Sequence, residues 1–594
     1  MYQYTDFDKQ FVKLRAQQFR DQLERWERGE LTDEQLLPLR LQNGWYVQRY
    51  APMARIAVPY GEISSLQLRT LAHIAREYDR PEPELLAHAQ ATQDALEASQ
   101  SGATLLAPQL RYGYGHFTTR TNCQFNWIPL SKAADVMDLL ASVSMHGIQT
   151  SGNDIRNITC DAWEGIADDG IVDCRPFAEI TRQWSSLHPE FSYLPRKFKI
   201  AFNGAKEDRA AIGWYDIGLQ ALKNEAGEVG FTVLVGGGMG RTPIIGSVVR
   251  EFLPWAELLN YIEAIIRVYN GYGRRDNKWK ARIKILVKSE GQAFIDAVEK
   301  EYAAIVELDG APHRITQAEF DRVASHFVIP ELKAANLESK VDPKGQLYQR
   351  WIAQNVRGHQ LPGMKTVTLS FKRAGFAPGD ADAATMEALA ELAEKFSAAE
   401  ARLTHEQNLL LPWVFESDLP ALYEAARKLG LATPNIGLLT DMIACPGGDF
   451  CSLANARSLH IAHAVTDRYQ DLDELFDIGP IDLHMSGCIN SCGHHHSGHI
   501  GILGVDKDGK EWYQITLGGA DGTALSGPSI GGKVVGPAFT AAEVPDVIEA
   551  LLDSYRAQRL PGEHFIDTLR RAGHDAFKAA ANAARHPRLE ESHA

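Results

Sequence analysis

The stretch that decides the fold reads Ala444-Cys-Pro-Gly-Gly-Asp-Phe-Cys451, and it is completed further on by Ser486-Gly-Cys-Ile-Asn-Ser-Cys-Gly493. Its cysteines are spaced as Cys-x5-Cys, a gap of 36 residues and Cys-x3-Cys. A cubane iron–sulfur cluster needs four thiolates that converge from different directions, and two short pairs on separate loops can supply them without strain. The spacing therefore predicts one cluster site. Its four predicted ligands are Cys445, Cys451, Cys488 and Cys492.

Spacing alone leaves three further possibilities open for these cysteines. A tetrahedral zinc site is one, although zinc pairs usually have two to four residues between the cysteines and the first pair here has five. Disulfides are the second, but seven cysteines in 594 residues are few and odd in number, and no secretory segment precedes them. The third is that the thiols are inert core residues. The remaining cysteines, Cys123, Cys160 and Cys174, are isolated in the sequence.

The two cysteine segments resemble the cluster-binding signature of the sirohaem-dependent sulfite and nitrite reductases. Three upstream segments resemble other motifs of that family. Met53-Ala-Arg-Ile-Ala-Val-Pro-Tyr-Gly61 is similar to its first pocket strand, and Gly152-Asn-Asp-Ile-Arg-Asn-Ile158 and Leu194-Pro-Arg-Lys-Phe-Lys199 are similar to its substrate-pocket motifs. The resemblance implies an α+β fold with pseudo-two-fold symmetry, in which two ferredoxin-like half units join two α/β domains that bind sirohaem and a [4Fe-4S] cluster.

An internal repeat points to the same duplication. The segment His116-Phe-Thr-Thr-Arg-Thr-Asn-Cys-Gln124 is echoed by Ala401-Arg-Leu-Thr-His-Glu-Gln-Asn408, and helices are expected to begin after them near Ser131 and Ser417. After the expected helix, the two repeats carry different residues at equivalent places. The first repeat leads to Arg156 and Cys160, and the second leads to Asp441 and Cys445. A diverged duplication of this kind predicts a site at the pseudo-two-fold interface.

The coarse pattern predicts six regions. Residues 1–50 are expected to be a helical arm, because Phe11, Leu14, Phe19 and Leu23 follow a helical stripe. The further regions are half unit 1 at 51–150, a sirohaem and substrate domain at 151–340, half unit 2 at 345–435, a cluster and sirohaem domain at 436–575, and a polar tail at 576–594. Residues 80–112 look inserted, and a lid, a dimer contact or plain decoration remain open, with decoration favoured.

Sirohaem carries eight carboxylates, so its pocket needs fixed cations and donors to avoid burying unpaired anions. By resemblance, the substrate anion is held by Arg55, Arg156, Lys197 and Lys199. The macrocycle is held, again by resemblance, by Thr118, Arg120, Gln124 and Asn490, and Cys492 bridges the cluster and the sirohaem iron. Lysines at 197 and 199 would share one face of a strand and could donate protons. The plainer alternative is a solvent-facing strand edge.

Substrate choice depends on one position. In the family, the position of Lys199 tends to be lysine in sulfite reductases and asparagine in nitrite reductases, so the chain is expected to reduce sulfite to sulfide in assimilatory sulfur metabolism. Reduction of nitrite to ammonia is the alternative, and a non-catalytic iron–sulfur sensor is a third possibility. Two departures leave macrocycle contacts open: His116 stands where many relatives have arginine, and Asn126 where some have histidine.

Composition limits the partners. A net charge of −15 disfavours nucleic-acid binding, and no apolar run approaches the roughly 20 residues of a membrane span. Together with an unexceptional start, this predicts a cytoplasmic protein. The glycine spacing of Val235-Gly-Gly-Gly-Met-Gly-Arg241 does not fit a dinucleotide site, so a Gly-rich turn toward sirohaem carboxylates is expected there.

No flavin or nucleotide signature appears, so an external ferredoxin or flavoprotein subunit must deliver electrons. The one dense basic run that could receive an acidic donor comprises Arg267, Arg274, Arg275, Lys278, Lys280, Arg282 and Lys284. Equally, these residues could serve the sirohaem pocket or solvate a loop. The histidines that follow the last cysteine, His494, His495, His496 and His499, are expected to pack or to contact sirohaem carboxylates.

Overall fold

The computed structural model describes residues 1–48, 51–98, 111–522 and 527–586. Within these ranges the strands are β1 Trp45–Val47, β2 Pro52–Ala57, β3 Glu62–Ser64, β4 Tyr114–Phe117, β5 Asn122–Phe125, β6 Thr159–Cys160, β7 Ile200–Asn203, β8 Ile217–Lys223, β9 Val229–Val235, β10 Ser247–Pro254, β11 Val356–Arg357, β12 Met364–Leu369, β13 Asp380–Asp382, β14 Glu400–Leu403, β15 Leu409–Phe415, β16 Ile443–Ala444, β17 Leu483–Ser486, β18 Ile500–Lys507, β19 Lys510–Leu517 and β20 Lys533–Val534. They form four five-stranded sheets.

The helices pack around these sheets. In chain order they are α1 Asp6–Glu27, α2 Asp33–Gln42, α3 Ser65–Glu77, α4 Pro83–Ala98, α5 Ala133–Ser142, α6 Arg175–Ser185, α7 Leu258–Tyr272, α8 Ile283–Glu290, α9 Gln292–Glu307, α10 Gln317–Ala324, α11 Gln346–Asn355, α12 Ala383–Phe396, α13 Leu419–Lys428, α14 Leu459–Arg468, α15 Leu472–Ile478, α16 Val544–Gln558, α17 Phe565–Ala572 and α18 Asp575–Ala583. In the described part of the chain, every helix is too short or too polar to cross a bilayer.

Residues 6–27 and 33–42 of the expected helical arm form α1 and α2, whereas Trp45–Val47 form β1 and pair with β2, and the buried stripe of α1 differs from the expected one. Helix α1 starts at a capping box in which the Thr5 hydroxyl accepts from the Asp8 N–H. The buried apolar positions of α1 are Val12, Ala16, Phe19 and Leu23. Leu14 is 52% exposed, because two residues of helix turn it about 200° away from Val12. The prediction for Leu14 was therefore wrong.

Two sheets form the duplicated half units, and they exchange strands. The first sheet has the order β1-β2-β5-β4-β13 and the second β11-β12-β15-β14-β3. Thus β3 of the first half pairs with β14 of the second, with Ser64 opposite Glu400, and β13 of the second half pairs with β4 of the first, with Asp380 opposite His116. The boundaries predicted at 51–150 and 345–435 treat each half unit as self-contained, whereas each takes one edge strand from the other.

The predicted repeat folds as two matching hairpins. In the first, the Thr118 N–H donates to the Asn122 carbonyl over 2.9 Å, and in the second the Thr404 N–H donates to the Asn408 carbonyl over 3.0 Å. In both, the threonine hydroxyl accepts the asparagine N–H, at 3.3 and 3.2 Å. Helix α5 follows the first hairpin after a 3₁₀ turn that ends at Lys132, and helix α13 follows the second hairpin after a 3₁₀ turn that ends at Asp418. The duplicated fold is confirmed.

The other two sheets also share one topology. The orders β6-β7-β8-β9-β10 and β16-β17-β18-β19-β20 both begin with two parallel pairings and end with two antiparallel ones. In this correspondence Gly204, after β7, matches Gly487, after β17, because both follow the last strand residue directly. The cysteine loops therefore occupy the carboxyl ends of parallel strands, where α/β sheets commonly bind ligands.

Two outer segments depart from expectation. The insertion contains α4, whose Leu85 and Ala89 pack with Trp127 and Phe450; residues 99–110 lie outside the described residues. The expected polar tail begins with helix α18, in which Phe577 and Ala581 are buried, so the prediction of a tail from residue 576 was wrong there. Residues 587–594 lie outside the described part.

Candidate functional site

The two cysteine loops are joined by backbone hydrogen bonds. Cys445 directly follows β16, and its N–H donates to the Met485 carbonyl over 3.2 Å. In return, the Gly487 N–H donates to Cys445 Sγ over 3.2 Å. This N–H···S contact would stabilise a thiolate ligand, as in other iron–sulfur proteins. The Cys451 N–H donates to the Gly447 carbonyl over 2.9 Å, which closes the first loop into a turn.

Glycines allow this close approach. A Cβ on Gly487 would lie 2.5 Å from the Ala456 carbonyl oxygen and 2.6 Å from Gly447 Cα. A Cβ on Gly493 would lie 1.8 Å from the Met485 carbonyl oxygen. All three distances are far inside van der Waals contact with backbone atoms that cannot move aside. The loops can therefore meet only with glycine at these positions.

The thiols influence one another electrostatically. Burial raises the pKa of Cys445 to about 12 and that of Cys488 to about 11, and in both cases the charge of Cys492 adds to the effect. Burial and Cys492 raise the pKa of Cys451 as well. Such thiols become thiolates only when a cation compensates their charge, which is what iron supplies.

The four cysteines differ in exposure. Cys488 is buried, Cys445 and Cys451 are half-buried, and Cys492 is exposed, so Cys492 remains open toward a further group. Among the described residues, no group of three or more histidines, cysteines or acids is gathered closely enough to hold a single ion. Four thiols are the donor set that a [4Fe-4S] cluster uses.

Arg55 and Arg156 converge on one carbonyl. Arg55 lies on β2, opposite Gln124 on β5, and its guanidinium donates to Gln124 Oε1 over 3.1 Å and to the Thr150 carbonyl over 3.2 Å. Arg156 donates to the same Thr150 carbonyl over 2.9 Å and to the Gly152 carbonyl over 2.6 Å. The two cations thus lie side by side, although they come from different domains of the sequence.

The two lysines precede β7 rather than lying on it. Both are half-buried on either side of Phe198, so they are not on an open strand edge. Burial lowers the pKa of Lys197 to about 8, with Arg156 and Arg282 contributing. Burial, followed by the charges of Arg120 and Lys197, places the pKa of Lys199 well below its usual value. Among contacts between described residues, neither ammonium forms an ion pair, so both can receive an anion.

The residues expected to hold the macrocycle surround these cations. Arg120 donates to the Asn157 carbonyl over 2.6 Å, and its Nη1 is buried without a hydrogen-bond partner in the described structure. Gln124 donates to Asn126 Oδ1 over 2.9 Å, so it links Asn126 to Arg55. The Thr118 hydroxyl accepts from the Arg120 N–H at 3.3 Å. A buried guanidinium nitrogen without an acceptor suits a carboxylated ligand.

Asn490 and His116 differ in the hydrogen bonds that their side chains form with other residues of the protein. Asn490 is half-buried, and its side chain hydrogen-bonds the Cys488 thiol. His116 is paired with Asp380, with 2.7 Å between Nδ1 and Oδ1. It therefore orders the exchanged strand β13 rather than standing free toward the macrocycle. The histidines after Cys492 pack inward, and His494 Nδ1 lies 3.2 Å from His405 Nε2.

The basic run divides into an inner and an outer part. Arg282 pairs with Asp216 at 2.8 Å, and the Lys284 ammonium donates to the carbonyls of Met239 and Thr242 at 2.5 and 2.6 Å. Burial lowers the pKa of Lys284 to about 7. These two residues therefore serve the Gly-rich turn at 235–241, in line with the expectation that the run could serve the pocket. The outer part, with Lys278, is exposed.

Sequence reasoning missed Tyr46 and Asp154. The Tyr46 ring centre lies 5.2 Å from the Arg55 guanidinium carbon. Burial raises the pKa of Tyr46, but the charges of Arg156, Arg55 and Lys197 outweigh burial and lower it overall. Asp154 lies 3.0 Å from Arg156 Nε. Asp154 falls within a quoted motif, whereas nothing local distinguishes Tyr46, because its role arises from tertiary contacts.

Comparisons with known proteins agree with this geometry. The family model described as nitrite and sulphite reductase 4Fe-4S domain matches residues 151–305 and 439–587, and the one described as nitrite/sulfite reductase ferredoxin-like half domain matches residues 364–429. The chain is 28% identical over 544 residues to the assimilatory ferredoxin-dependent nitrite reductase of Haloferax mediterranei, covering 88% of this chain and 82% of that protein.

A sulfite reductase and a solved structure are similar to the chain as well. Sulfite reductase [ferredoxin] 1 of Mycolicibacterium paratuberculosis is 26% identical over 471 residues, which is 77% of each chain. The structure of the Mycobacterium tuberculosis NirA protein superposes with a TM-score of 0.70 at 22% identity and covers 93% of this chain and 95% of that one. The latter likeness supports the fold.

The residues present fit the cofactors of this family. Four cysteines on two joined loops suit a [4Fe-4S] cluster, and Arg55 and Arg120 each keep a buried guanidinium nitrogen without a partner in the described structure. Together with the two lysines, they suit a polycarboxylated macrocycle and a small anion. From its matched domains, its fold and this donor set, the chain belongs to the nitrite and sulfite reductase family, whose members carry sirohaem and a [4Fe-4S] cluster.

Proposed function

We propose that the chain reduces sulfite to sulfide with six electrons and seven protons, as an assimilatory sulfite reductase. The observation that carries this proposal is Lys199, a half-buried side chain that forms no ion pair among the described residues and would become a fourth cation of the pocket when an anion binds beside it. A dianion gains more from a fourth cation than the monoanion nitrite does. The relatives include a nitrite reductase and a sulfite reductase at similar sequence identity. The preference for sulfite is therefore argued from the cations of the pocket and not from sequence identity.

In this proposal Arg55, Arg156, Lys197 and Lys199 bind the anion. The two arginines supply fixed charge and directed N–H groups, because a guanidinium stays protonated in proteins. Lys197 can also move protons near neutral pH, since its pKa is lowered to about 8. When bound, sirohaem and the cluster supply the electrons, and Cys492 would be the ligand shared by both iron centres.

Nitrite reduction is the second candidate. It is favoured by the name of the Haloferax mediterranei relative, an assimilatory ferredoxin-dependent nitrite reductase at 28% identity. The three remaining pocket cations would suffice for a monoanion, so the same chain could act on both substrates to different extents.

The proposed electron donor is a ferredoxin. The relatives named above are described as ferredoxin-dependent enzymes. The outer part of the basic run offers a surface for an acidic protein, because Lys278 and Lys280 are exposed beside Trp279, which is 63% exposed, and Tyr272, which is 71% exposed. We place the reaction in the cytoplasm, where the cluster thiols stay reduced.

The test is the ratio of kcat/KM for sulfite to that for nitrite, measured with electrochemically reduced methyl viologen because dithionite generates sulfite. We expect a ratio well above one and sulfide formed stoichiometrically. Lys199→Asn should lower kcat/KM for sulfite at least tenfold and change that for nitrite much less, because it removes the fourth cation. A wild-type ratio well below one would assign the chain to nitrite reduction instead.

A further inference from the structure

A cavity of about 420 Å³ lies directly behind the substrate cations. Its walls come from four places: the end of α2 with Leu41, the segment 148–155, the segment from Ser185 to Pro195, and Arg275. The second and third of these segments lead straight into the pocket motifs, to Arg156 and Lys197 respectively. The same two pieces of chain therefore line the cavity and then the substrate pocket.

Backbone hydrogen bonds hold these pieces together as one wall. The Phe198 N–H donates to the Asp154 carbonyl over 2.9 Å, and the Arg156 N–H donates to the Phe198 carbonyl over 2.7 Å. Nearer the cavity, the Leu194 N–H donates to the Asn153 carbonyl over 2.9 Å. The wall therefore sets a fixed separation between the cavity and the pocket.

One carboxyl group stands in this wall. Among the described residues that line the cavity, Asp154 is the sole acid. Its Oδ1 lies 3.0 Å from Arg156 Nε, and its side chain remains 19% exposed, compared with 12% for Arg156. Asp154 therefore faces the cavity and touches a substrate cation at the same time.

The charged and titratable groups around Asp154 allow it to change protonation near neutral pH. Burial raises the pKa of Asp154 to about 7, although the charge of Arg156 opposes the effect. Tyr46, on β1, hydrogen-bonds Arg156 from the pocket side, and Arg275 lines the cavity. A carboxyl group with a pKa close to the working pH is suited to pass protons in either direction.

We propose that this cavity is the proton inlet of the substrate pocket and that Asp154 is the group that carries protons through its wall. In each step the Asp154 O–H bond breaks, and its proton passes through a water molecule to the anion that is being reduced. The carboxylate then takes a proton from a hydronium ion in the cavity, which becomes water, so one proton crosses the wall and Asp154 is restored. Reduction of either sulfite or nitrite consumes many protons, so the inference needs only the activity of the family and not the substrate proposed above.

The test uses the cofactor-loaded enzyme with whichever anion the wild type reduces. Asp154→Asn keeps an acceptor for Arg156 Nε but cannot carry a proton. We expect kcat to fall about tenfold, KM to change less than twofold, and the solvent deuterium isotope effect on kcat to rise. Wild-type kcat should decline as pH rises above about 7, because Asp154 loses its proton, and this decline should be absent from Asp154→Asn.

Asp208→Asn is the matched control. Burial raises the pKa of Asp208 to about 7 as well, and it accepts N–H bonds from Ala210 and Ile212, but it does not line the cavity. It should leave both the pH profile and the isotope effect unchanged. An unaltered sirohaem absorption spectrum checks that each variant is folded and loaded.

Two further measurements keep the inference testable if Asp154→Asn folds poorly. Asp154→Glu retains a carboxyl group and should recover much of the lost kcat, and added formate should restore turnover of Asp154→Asn by carrying protons through the cavity. A raised KM for the anion, with an unchanged pH profile and isotope effect, would mean that Asp154 only orients Arg156. That result would overturn the proposal.

Discussion

Side chains at equivalent positions of the two hairpins carry opposite charges. Arg120 and Glu406 each stand two residues after the hairpin threonine, but Arg120 keeps a free guanidinium nitrogen in the described structure, whereas burial raises the pKa of Glu406. In the second half, Lys372 pairs with Asp441 at 3.0 Å. The turn of the first half therefore presents an arginine with an N–H donor that is unused among the described residues. Beside the corresponding turn of the second half, the lysine and the aspartate pair with each other.

Replacing Gly487 should separate the cysteine loops. Gly487→Ala would push a methyl group into the Ala456 carbonyl and Gly447, so we expect a loss of at least about 2 kcal/mol in the free energy of unfolding and less than half of the normal iron content. Urea unfolding and iron analysis measure both. Gly271→Ala is the matched control, because a Cβ there meets nothing within 4 Å. Equal iron content in the two variants would contradict the close-approach argument.

Half-buried His460 should contribute to the acid sensitivity of the protein. Burial, aided by Arg457 and His463, lowers the pKa of His460 to about 4, whereas an unfolded histidine titrates near 6.5. The unfolded state therefore binds more protons between these values, and stability falls as pH drops from about 6.5 to 4, by up to about 3 kcal/mol.

The measurement compares wild type with His460→Gln, because carboxyl groups with raised pKa values, such as Asp449 at about 7, shift stability in the opposite direction in both proteins. Chemical denaturation at pH 7 and pH 5 should show a smaller loss for His460→Gln. Identical losses would mean that His460 is protonated in the folded state.

Helix α4 covers the first cysteine loop. Its Leu85 and Ala89 pack with Ala51, Trp127 and Phe450, and Phe450 directly precedes Cys451. Asp79 fastens the base of the insertion, because its carboxylate accepts the Gly113 N–H over 2.8 Å. Helix α4 is therefore fixed near its base and packs on the loop that carries Cys451, and the role of the insertion stays a prediction.

A charge on the inner face of α4 should loosen this cover. We expect Ala89→Asp to speed the release of iron to a ferrous chelator several-fold, because a buried carboxylate would break the apolar contact with Phe450. Ala87→Asp makes the same change on the exposed face of the same helix and should release iron at the wild-type rate. Equal rates in the two variants would show that α4 does not protect the cluster.

Local patterns predicted local structure well. The cysteine spacing predicted two loops that serve one site, and the repeat around Thr118 and Thr404 predicted a duplicated unit followed by helices. The structure adds that the loops are joined by hydrogen bonds and that the repeats fold as hairpins. The exchange of β3 and β13 was not predictable, since each has three residues and a partner hundreds of positions away. The packing of α4 depends on a few apolar contacts that leave no periodic signal.

The candidate site was predictable as a list of residues but not as an arrangement. The motifs named Arg55, Arg156, Lys197 and Lys199, and their roles stay a prediction. The shared Thr150 carbonyl, Tyr46 and the carboxyl group of Asp154 emerge only when separate segments meet. The basic run stayed ambiguous in the sequence, because Arg282 and Lys284 point inward while Lys278 is exposed, and burial cannot be read from charge alone.

The whole molecule is one interlocked unit. The half-unit sheets share a single hydrophobic core that runs from Phe19 through Phe117 to Trp351 and Leu411. The exchanged strands and this common core mean that neither half buries its apolar face alone. The four cations proposed to bind the substrate come from the first half and the cysteines from the second, so the candidate site is complete only when both have folded.

The strand exchange also sets an order in time during synthesis. Strand β3 leaves the ribosome early but finds its partner only when β14, from Glu400 onward, has been made. At roughly 5–20 residues per second this wait is about 20 to 70 seconds. Cys445 emerges later still. The first half unit therefore has to stay open until β14 has been made, and the cofactors can enter only after the cysteine loops have followed.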